Sequence, residues 1–321
     1  MSKGSVWWKP TFGIILGLAV ILTGLYFSLD TERLDLDASQ VVPGEKIELS
    51  NGIVHYRLMG PSDAPLVLLV HGFSVPSYEW EPTAEALEDA GYRVLSCDLY
   101  GRGYSARPAV EYDLDLFVSQ LEELTTALEL HDPIVVVGHS MGGPIAARFA
   151  SLHPQHISGV VLIAPEVNLT TGKDVFPLNI PLVGEYLMTA IMEPIVLPKI
   201  QAADFVHPEN YPEWESKYRV QLQYRGTGRA LLSTIRNLTT FDPADEYRRL
   251  QEADLPVLLI WGREDGTIGP DQIALLQSLI PEIRTFIVED AGHLPQFEQA
   301  EDVNEKLLQF LDKLFSNSGS P

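Results

Sequence analysis

Ser140 stands between two glycines in the stretch Val137-Gly138-His139-Ser140-Met141-Gly142-Gly143, the G-x-S-x-G spacing of a nucleophile held on a sharp turn. Glycine on either side lets the backbone bend tightly enough to hold a hydroxyl clear of what surrounds it. A serine hydroxyl is a weak nucleophile near neutral pH and needs a base within hydrogen-bond reach, which in turn needs an acid to orient it. Asp265, in Trp261-Gly262-Arg263-Glu264-Asp265-Gly266, and His293, in Ala291-Gly292-His293-Leu294-Pro295, supply those types further along the chain. Glu264 and Asp290 are the rivals of Asp265 for the acid. Such a set attacks a carbonyl, forms an acyl-enzyme and hydrolyses it, with His293 first taking and then returning the proton.

Each of these residues follows an apolar run. Residues 134–137 lead into Ser140, 257–260 into Asp265 and 285–288 into His293; further runs lie at 66–70, 93–97 and 160–163. Runs without polar alternation are what strands buried on both faces look like, so the sheet is expected to be mainly parallel and covered by helices. Helical patterns separate them at 83–90, 114–130, 144–152, 271–279 and 303–315. In this α/β order all three residues fall at strand carboxyl ends, the edge where open sheets place their sites. Two alternating runs at 46–49 and 53–58, split by Ser50-Asn51-Gly52, read as a hairpin. His55 lies on it and is expected at a surface or cross-strand position.

The alternation stops between about 166 and 241, a proline-rich stretch with short helical pieces and no buried strand. Inserted between two core strands, it reads as a helical cap over the carboxyl edge. Its apolar residues either pack the cap onto the core or form an acyl-binding wall, for which Leu182, Tyr186, Leu187 and Ile191 are the candidates.

The chain of 321 residues carries 44 acidic and 22 basic residues, a formal charge of −22. That balance excludes nucleic acid as a partner, since no excess of lysine and arginine exists to neutralise phosphates. Cys97 is the single cysteine, so no intrachain disulfide and no cysteine zinc site can form; no metal or cofactor is expected. Residues 11–29 hold no charge and are long enough to cross a bilayer. Lys3 and Lys9 precede them and Asp30, Glu32, Asp35 and Asp37 follow, so the expected arrangement is a signal anchor with the N-terminus cytoplasmic and the catalytic part on the non-cytoplasmic face. The competing arrangement is a cleaved signal peptide and a secreted or periplasmic enzyme. The expected organisation is a tail at 1–10, the transmembrane anchor at 11–29, a linker at 30–43, core at 44–165, cap at 166–241, core again at 242–315 and a frayed tail at 316–321. Asn168-Leu169-Thr170 and Asn237-Leu238-Thr239 match the glycosylation sequon, which matters only in a secretory pathway.

Together with His71-Gly72-Phe73, Asp98-Leu99-Tyr100-Gly101-Arg102-Gly103-Tyr104-Ser105 and Gly292-His293, the Ser140 motif resembles the α/β-hydrolase superfamily over about residues 44–315. The resemblance implies the order serine, acid, histidine, and an oxyanion hole made by the backbone N–H groups of Phe73 and Met141. It implies a loop-holding role for His71. An N-terminal anchor combined with H-G-F and G-H-S-M-G-G is similar to membrane-bound monoacylglycerol lipases and related carboxylesterases. Hydrolysis of neutral, lipid-like esters is therefore expected, the partners being a small ester or lipid and, through the N-terminal helix, a membrane. Carbon–carbon bond hydrolases of the meta-cleavage-product type share much of the pattern, the same triad can cleave thioesters or amides, and a ligand receptor on this fold can keep the triad without turnover. Serine at position 140 excludes the dehalogenase and epoxide hydrolase chemistry of this fold, which requires an aspartate nucleophile.

Overall fold

The structure, a computed structural model, describes residues 8–31, 33–36, 41–130, 133–168 and 175–316. Its centre is an eight-stranded sheet in the order β1-β2-β4-β3-β5-β6-β7-β8, made of β1 (Glu45–Leu49), β2 (Gly52–Met59), β3 (Leu66–Val70), β4 (Arg93–Cys97), β5 (Ile134–His139), β6 (Ile157–Ile163), β7 (Val257–Gly262) and β8 (Arg284–Val288). The hairpin β1–β2 is antiparallel and joins β4 antiparallel; every other pairing is parallel.

The solid apolar runs are explained by the two layers that cover them. Leu66, Leu68, Val136, Leu162 and Leu259 face α3 (Leu114–Ala127), α4 (Gly142–Leu152) and α10 (Pro270–Leu279), whereas Val67, Leu69, Val135, Val137, Val161 and Ile260 face α2 (Glu81–Asp89) and α12 (Ala300–Ser316). Alternate residues of one strand thus enter opposite cores, and each fully buried Val, Leu or Ile contributes about 1.5–3 kcal/mol.

Between β6 and β7 lie α5 (Val183–Leu187), a π-helical segment (Met188–Val196), α6 (Leu197–Ala203), α7 (Trp214–Val220), α8 (Thr227–Leu238) and α9 (Pro243–Glu252). The first five form the cap; α9 packs on α4 beside the sheet. Val75 of the core, Met188, Leu197, Phe205, Trp214, Tyr218 and Leu231 of the cap, and Leu294 make one buried cluster. Part of the apolar cap sequence is therefore packing, as one of the two expectations had it. Asn237 of one sequon gives its side-chain amide to the Ser233 carbonyl at 3.0 Å; Leu169 and Thr170 of the other lie outside the described residues, as do 1–7 and 317–321 of the expected tails.

The N-terminal segment departs from expectation. It forms the helix α1 (Trp8–Thr31), but among the described residues no helix is long and apolar enough to cross a membrane, so the spanning anchor expected at 11–29 is not supported. Helix α1 instead lies against α5 and the π-helical segment. Residues 33–35, which follow it, contact the cap. Arg33 donates to the buried Glu193 at 2.5 Å, Leu34 forms an isolated parallel bridge with Tyr224, and Arg225 pairs with Asp35 at 2.8 Å. The hairpin histidine takes the cross-strand place of its two expected positions: His55 pairs with Lys46 of β1 and is buried, not on the surface, with Nδ1 at 2.8 Å from Asp98. Asp98 further accepts from the Ser77 and Tyr104 amides, and a Cβ on Gly103 would lie 2.0 Å from its carboxylate.

Candidate active site

Strand β5 ends in the elbow. Ser140 has φ of 51°, a left-handed conformation that costs a non-glycine residue energy and is tolerated where the surroundings hold it. The flanking glycines supply the room: a Cβ on Gly138 would lie 2.2 Å from the Gly142 carbonyl oxygen, and one on Gly142 would lie 2.3 Å from that of Val70. The tight turn aims Oγ at the carboxyl edge, where the loops after β7 and β8 bring the other two residues. His293 Nε2 lies 3.0 Å from Ser140 Oγ, and His293 Nδ1 lies 2.9 Å from Asp265 Oδ2. Asp265 is fixed in turn by the Thr267 and Ile268 amides, which donate to Oδ1 at 2.8 Å. The rivals are occupied elsewhere: Glu264 accepts from the Ala291 amide and Asp290 pairs with His207.

Of the two expected oxyanion positions, Phe73 lies in the loop after β3 and Met141 directly follows Ser140 at the end of β5. Among the described residues neither the Phe73 nor the Met141 N–H is taken by an acceptor of the chain. His71 is directed away from the serine, its Nε2 accepting from the Leu99 amide at 2.9 Å and its Nδ1 donating to the Gly72 carbonyl at 2.8 Å. Buried Arg102 donates to the Phe73 carbonyl at 2.8 Å and to Thr234 of the cap at 2.9 Å. The cap residue Gln221 donates to the Ser74 carbonyl at 2.7 Å, so loop and cap are held together.

Ser140 and His293 open into a cavity of about 220 Å³, bounded by Phe73, Ser74, Val75, Thr267 and Leu294 of the core and by Leu197, Ile200, Gln201 and Asp204 of the cap. Leu182, Tyr186, Leu187 and Ile191 do not line it. They belong to the segment that meets α1 and α8, and the wall over the serine is provided by α6, one element further along. Sequence reasoning had no signal for that choice, since both pieces are apolar and proline-punctuated.

Three acidic groups near the site went unnoticed in the sequence. Asp204 accepts the His293 amide on its carbonyl at 2.9 Å and the Thr267 hydroxyl on its carboxylate at 3.0 Å; burial raises its pKa. Glu298, in α11 (Pro295–Glu298), accepts the Gly292 amide at 2.5 Å and the Val206 amide at 2.6 Å. Glu166, just beyond β6, has its pKa pushed up to about 7 by burial, opposed by the charge of His293. Its place at a strand carboxyl end was the one available hint. His293 itself feels burial, which lowers its pKa, but the hydrogen bond and charge of Asp265 and the charges of Asp204 and Glu79 prevail and raise it.

Fold and site together define a hydrolase. Residues 65–300 match the family profile described as alpha/beta hydrolase fold, and the chain belongs to that family. It is 27% identical over 256 residues to Lipase 3 of Moraxella sp. (strain TA144), covering 77% of this chain and 78% of that one. It is also 27% identical over 281 residues to Epoxide hydrolase 3 of Xenopus tropicalis, covering 81% and 75%. Among solved structures it superposes on a thermophilic esterase from Thermogutta terrifontis with a TM-score of 0.72, at 23% identity over 84% of this chain and 99% of that one. The enol-lactonase from Burkholderia xenovorans LB400 gives 0.72 at 21%, over 83% and 99%; these two likenesses concern the fold.

Proposed function

We propose that this protein is a serine hydrolase of neutral carboxylic esters with lipid-like acyl groups, monoacylglycerols among them. The observation that carries the proposal is the continuous chain from Ser140 Oγ through His293 to Asp265, beside two unengaged backbone N–H groups. In the mechanism it supports, His293 Nε2 takes the Ser140 proton as Oγ adds to the ester carbonyl. The Phe73 and Met141 N–H groups receive the oxyanion. His293 then hands the proton to the departing alcohol, and the acyl-enzyme is released by a water that gives its proton to the same nitrogen. Asp265 keeps Nδ1 protonated and offsets the charge of the imidazolium. A serine nucleophile leaves an acyl ester that water can cleave at carbonyl carbon, which favours esters over the epoxide named for one relative.

The cavity supports a neutral substrate. No lysine or arginine is among the side chains lining it, while Asp204 is, so a carboxylated substrate would find no counter-charge there. The lipid-like acyl group is supported by Leu197 and Ile200 at the wall and by exposed aliphatic residues elsewhere on the chain. Leu16, Leu18, Val20, Ile21, Leu25 and Leu29 of α1 and Ile191 and Ile195 of the cap are exposed. Membrane association is proposed through this surface, which requires insertion of side chains and no span.

The deciding experiment is an ester panel in which one alcohol carries acyl chains of increasing length, run on the whole chain and on Ser140→Ala. Turnover is expected to rise from acetate to medium-chain esters and to fall at least about 10⁴-fold in Ser140→Ala. Faster turnover of acetate would refute the lipid-like acyl preference. Turnover surviving in Ser140→Ala would refute the serine mechanism, and a folded protein that neither hydrolyses the panel nor reacts with a fluorophosphonate probe would be a receptor.

A further inference from the structure

Behind Ser140 lies a second histidine that the hydrolytic mechanism leaves unused. His139 is buried directly before the nucleophile, and its ring centroid is 4.9 Å from that of His293. Its Nε2 lies 2.8 Å from the backbone carbonyl oxygen of His293 and its Nδ1 lies 2.9 Å from Glu79 Oε1. The same Glu79 oxygen accepts the Gly72 amide at 3.3 Å. Glu79 is fully buried, and its other oxygen has no hydrogen-bond partner among the described residues.

Donors and acceptors fix one proton. A backbone carbonyl can only accept, so Nε2 of His139 carries hydrogen and donates to the His293 carbonyl. Glu79 Oε1 accepts from the Gly72 amide and is joined to Nδ1 by a hydrogen bond whose proton either atom can carry, so the two buried side chains satisfy one another. One end of this pair holds the peptide next to Phe73, whose N–H faces the oxyanion; the other holds the backbone of the general base.

We propose that Glu79 and His139 are positioning residues: as a proton-bearing strut they set the distance between the oxyanion loop and His293. The proposal rests on the triad mechanism above. Neither residue removes a proton from substrate or binds the acyl chain. Their effect falls on the transition state, where the Phe73 N–H and His293 Nε2 must act on one tetrahedral centre at once.

Two variants break the strut and one rebuilds it. Glu79→Ala and His139→Phe are expected to lower kcat by about 100-fold while KM moves by less than about threefold. Glu79→Gln keeps an oxygen that can accept from both the Gly72 amide and His139 Nδ1, and is expected to recover at least about tenfold in kcat over Glu79→Ala. Equal kcat in wild type and both broken variants, or Glu79→Gln no better than Glu79→Ala, overturns the proposal, as does a loss confined to KM. Should the variants fail to fold, the unmodified protein decides. Nuclear magnetic resonance with isotope-labelled histidine is expected to show a proton on His139 Nε2 held in a hydrogen bond, and a bare Nε2 would overturn the strut. That readout needs no turnover, so it separates failure of the strut from failure of the hydrolytic mechanism, which Ser140→Ala tests.

Discussion

In the proposed mechanism His293 must be neutral to take the Ser140 proton, so activity is expected to fall as pH drops through its pKa. Burial alone would place that pKa below the usual histidine value of 6.5, but Asp265, Asp204 and Glu79 raise it above. The acidic limb of kcat/KM against pH is therefore expected to have its midpoint above 6.5. Glu166 adds a second ionisation, since its carboxyl titrates at about 7 and lies close enough for the two charges to be felt mutually. Replacing it by glutamine removes a negative neighbour that favours the imidazolium. Glu166→Gln should move the acidic limb to lower pH, and an unmoved limb would mean that the carboxyl is not coupled to the base. Stability carries the same sign in another form. Folding raises the Glu166 pKa from 4.5 to about 7, so the folded chain keeps a proton that the unfolded chain releases. The contribution of this group to stability is present below pH 4.5 and is lost as pH rises toward 7. In urea denaturation Glu166→Gln should gain on the wild type between pH 4.5 and 8.

The loops that carry these residues are held by elements whose roles differ in how plainly the sequence shows them. The elbow was legible, because glycine, serine and glycine at fixed spacing after a β-branched run leave one compact arrangement. Gly138→Ala should cost about 2–3 kcal/mol, since the added carbon would sit 2.2 Å from a backbone oxygen that cannot rotate away. Equilibrium unfolding in urea measures this, and a neutral result would mean that the turn opens freely. The sheet was legible for a similar reason: runs such as Leu66 to Val70 feed two cores, and only a doubly covered strand demands that. The latch between cap and histidine loop was not. Glu298 holds the Gly292 and Val206 amides, and nothing in the Pro295-Gln296-Phe297-Glu298 sequence says which amides a glutamate will find across the fold. Glu298→Ala leaves two amides without their acceptor, at about 1–3 kcal/mol each. It should lower both melting temperature and kcat, because the loop it releases bears His293; unchanged kcat in the folded variant would show that the loop is held by other contacts. The wall of the cavity was misassigned for want of the same information, since the choice between Leu182 to Ile191 and α6 depends on which face α1 occupies.

At the scale of the whole molecule, a formal charge of −22 and the exposed aliphatic side chains of α1 make opposing demands on any lipid contact. Charge of that sign repels anionic headgroups, so attraction can come only from burying apolar side chains. The residues after α1 are pinned to the cap through Arg33 and Glu193, which ties the end of α1 to the cap. Val20 and Ile21, 66% and 58% exposed, each stand to contribute about 1–2 kcal/mol on insertion into an acyl layer. The chain is thus expected to bind vesicles of neutral phosphatidylcholine with little dependence on salt, and to bind less tightly as anionic lipid is added. Changing Val20 and Ile21 to glutamate exchanges insertion for desolvation of two carboxylates, and should release the protein from vesicles and slow hydrolysis of acylglycerols dispersed in them. The two positions lie far along the chain from Ser140, His293 and α6, so turnover of a soluble short-chain ester should be retained in the same variant. Vesicle flotation and paired assays on dispersed and soluble esters measure both effects. Retained binding by the double variant would place the lipid contact elsewhere, and equal loss on both substrates would show that α1 supports the cap and makes no contact with lipid.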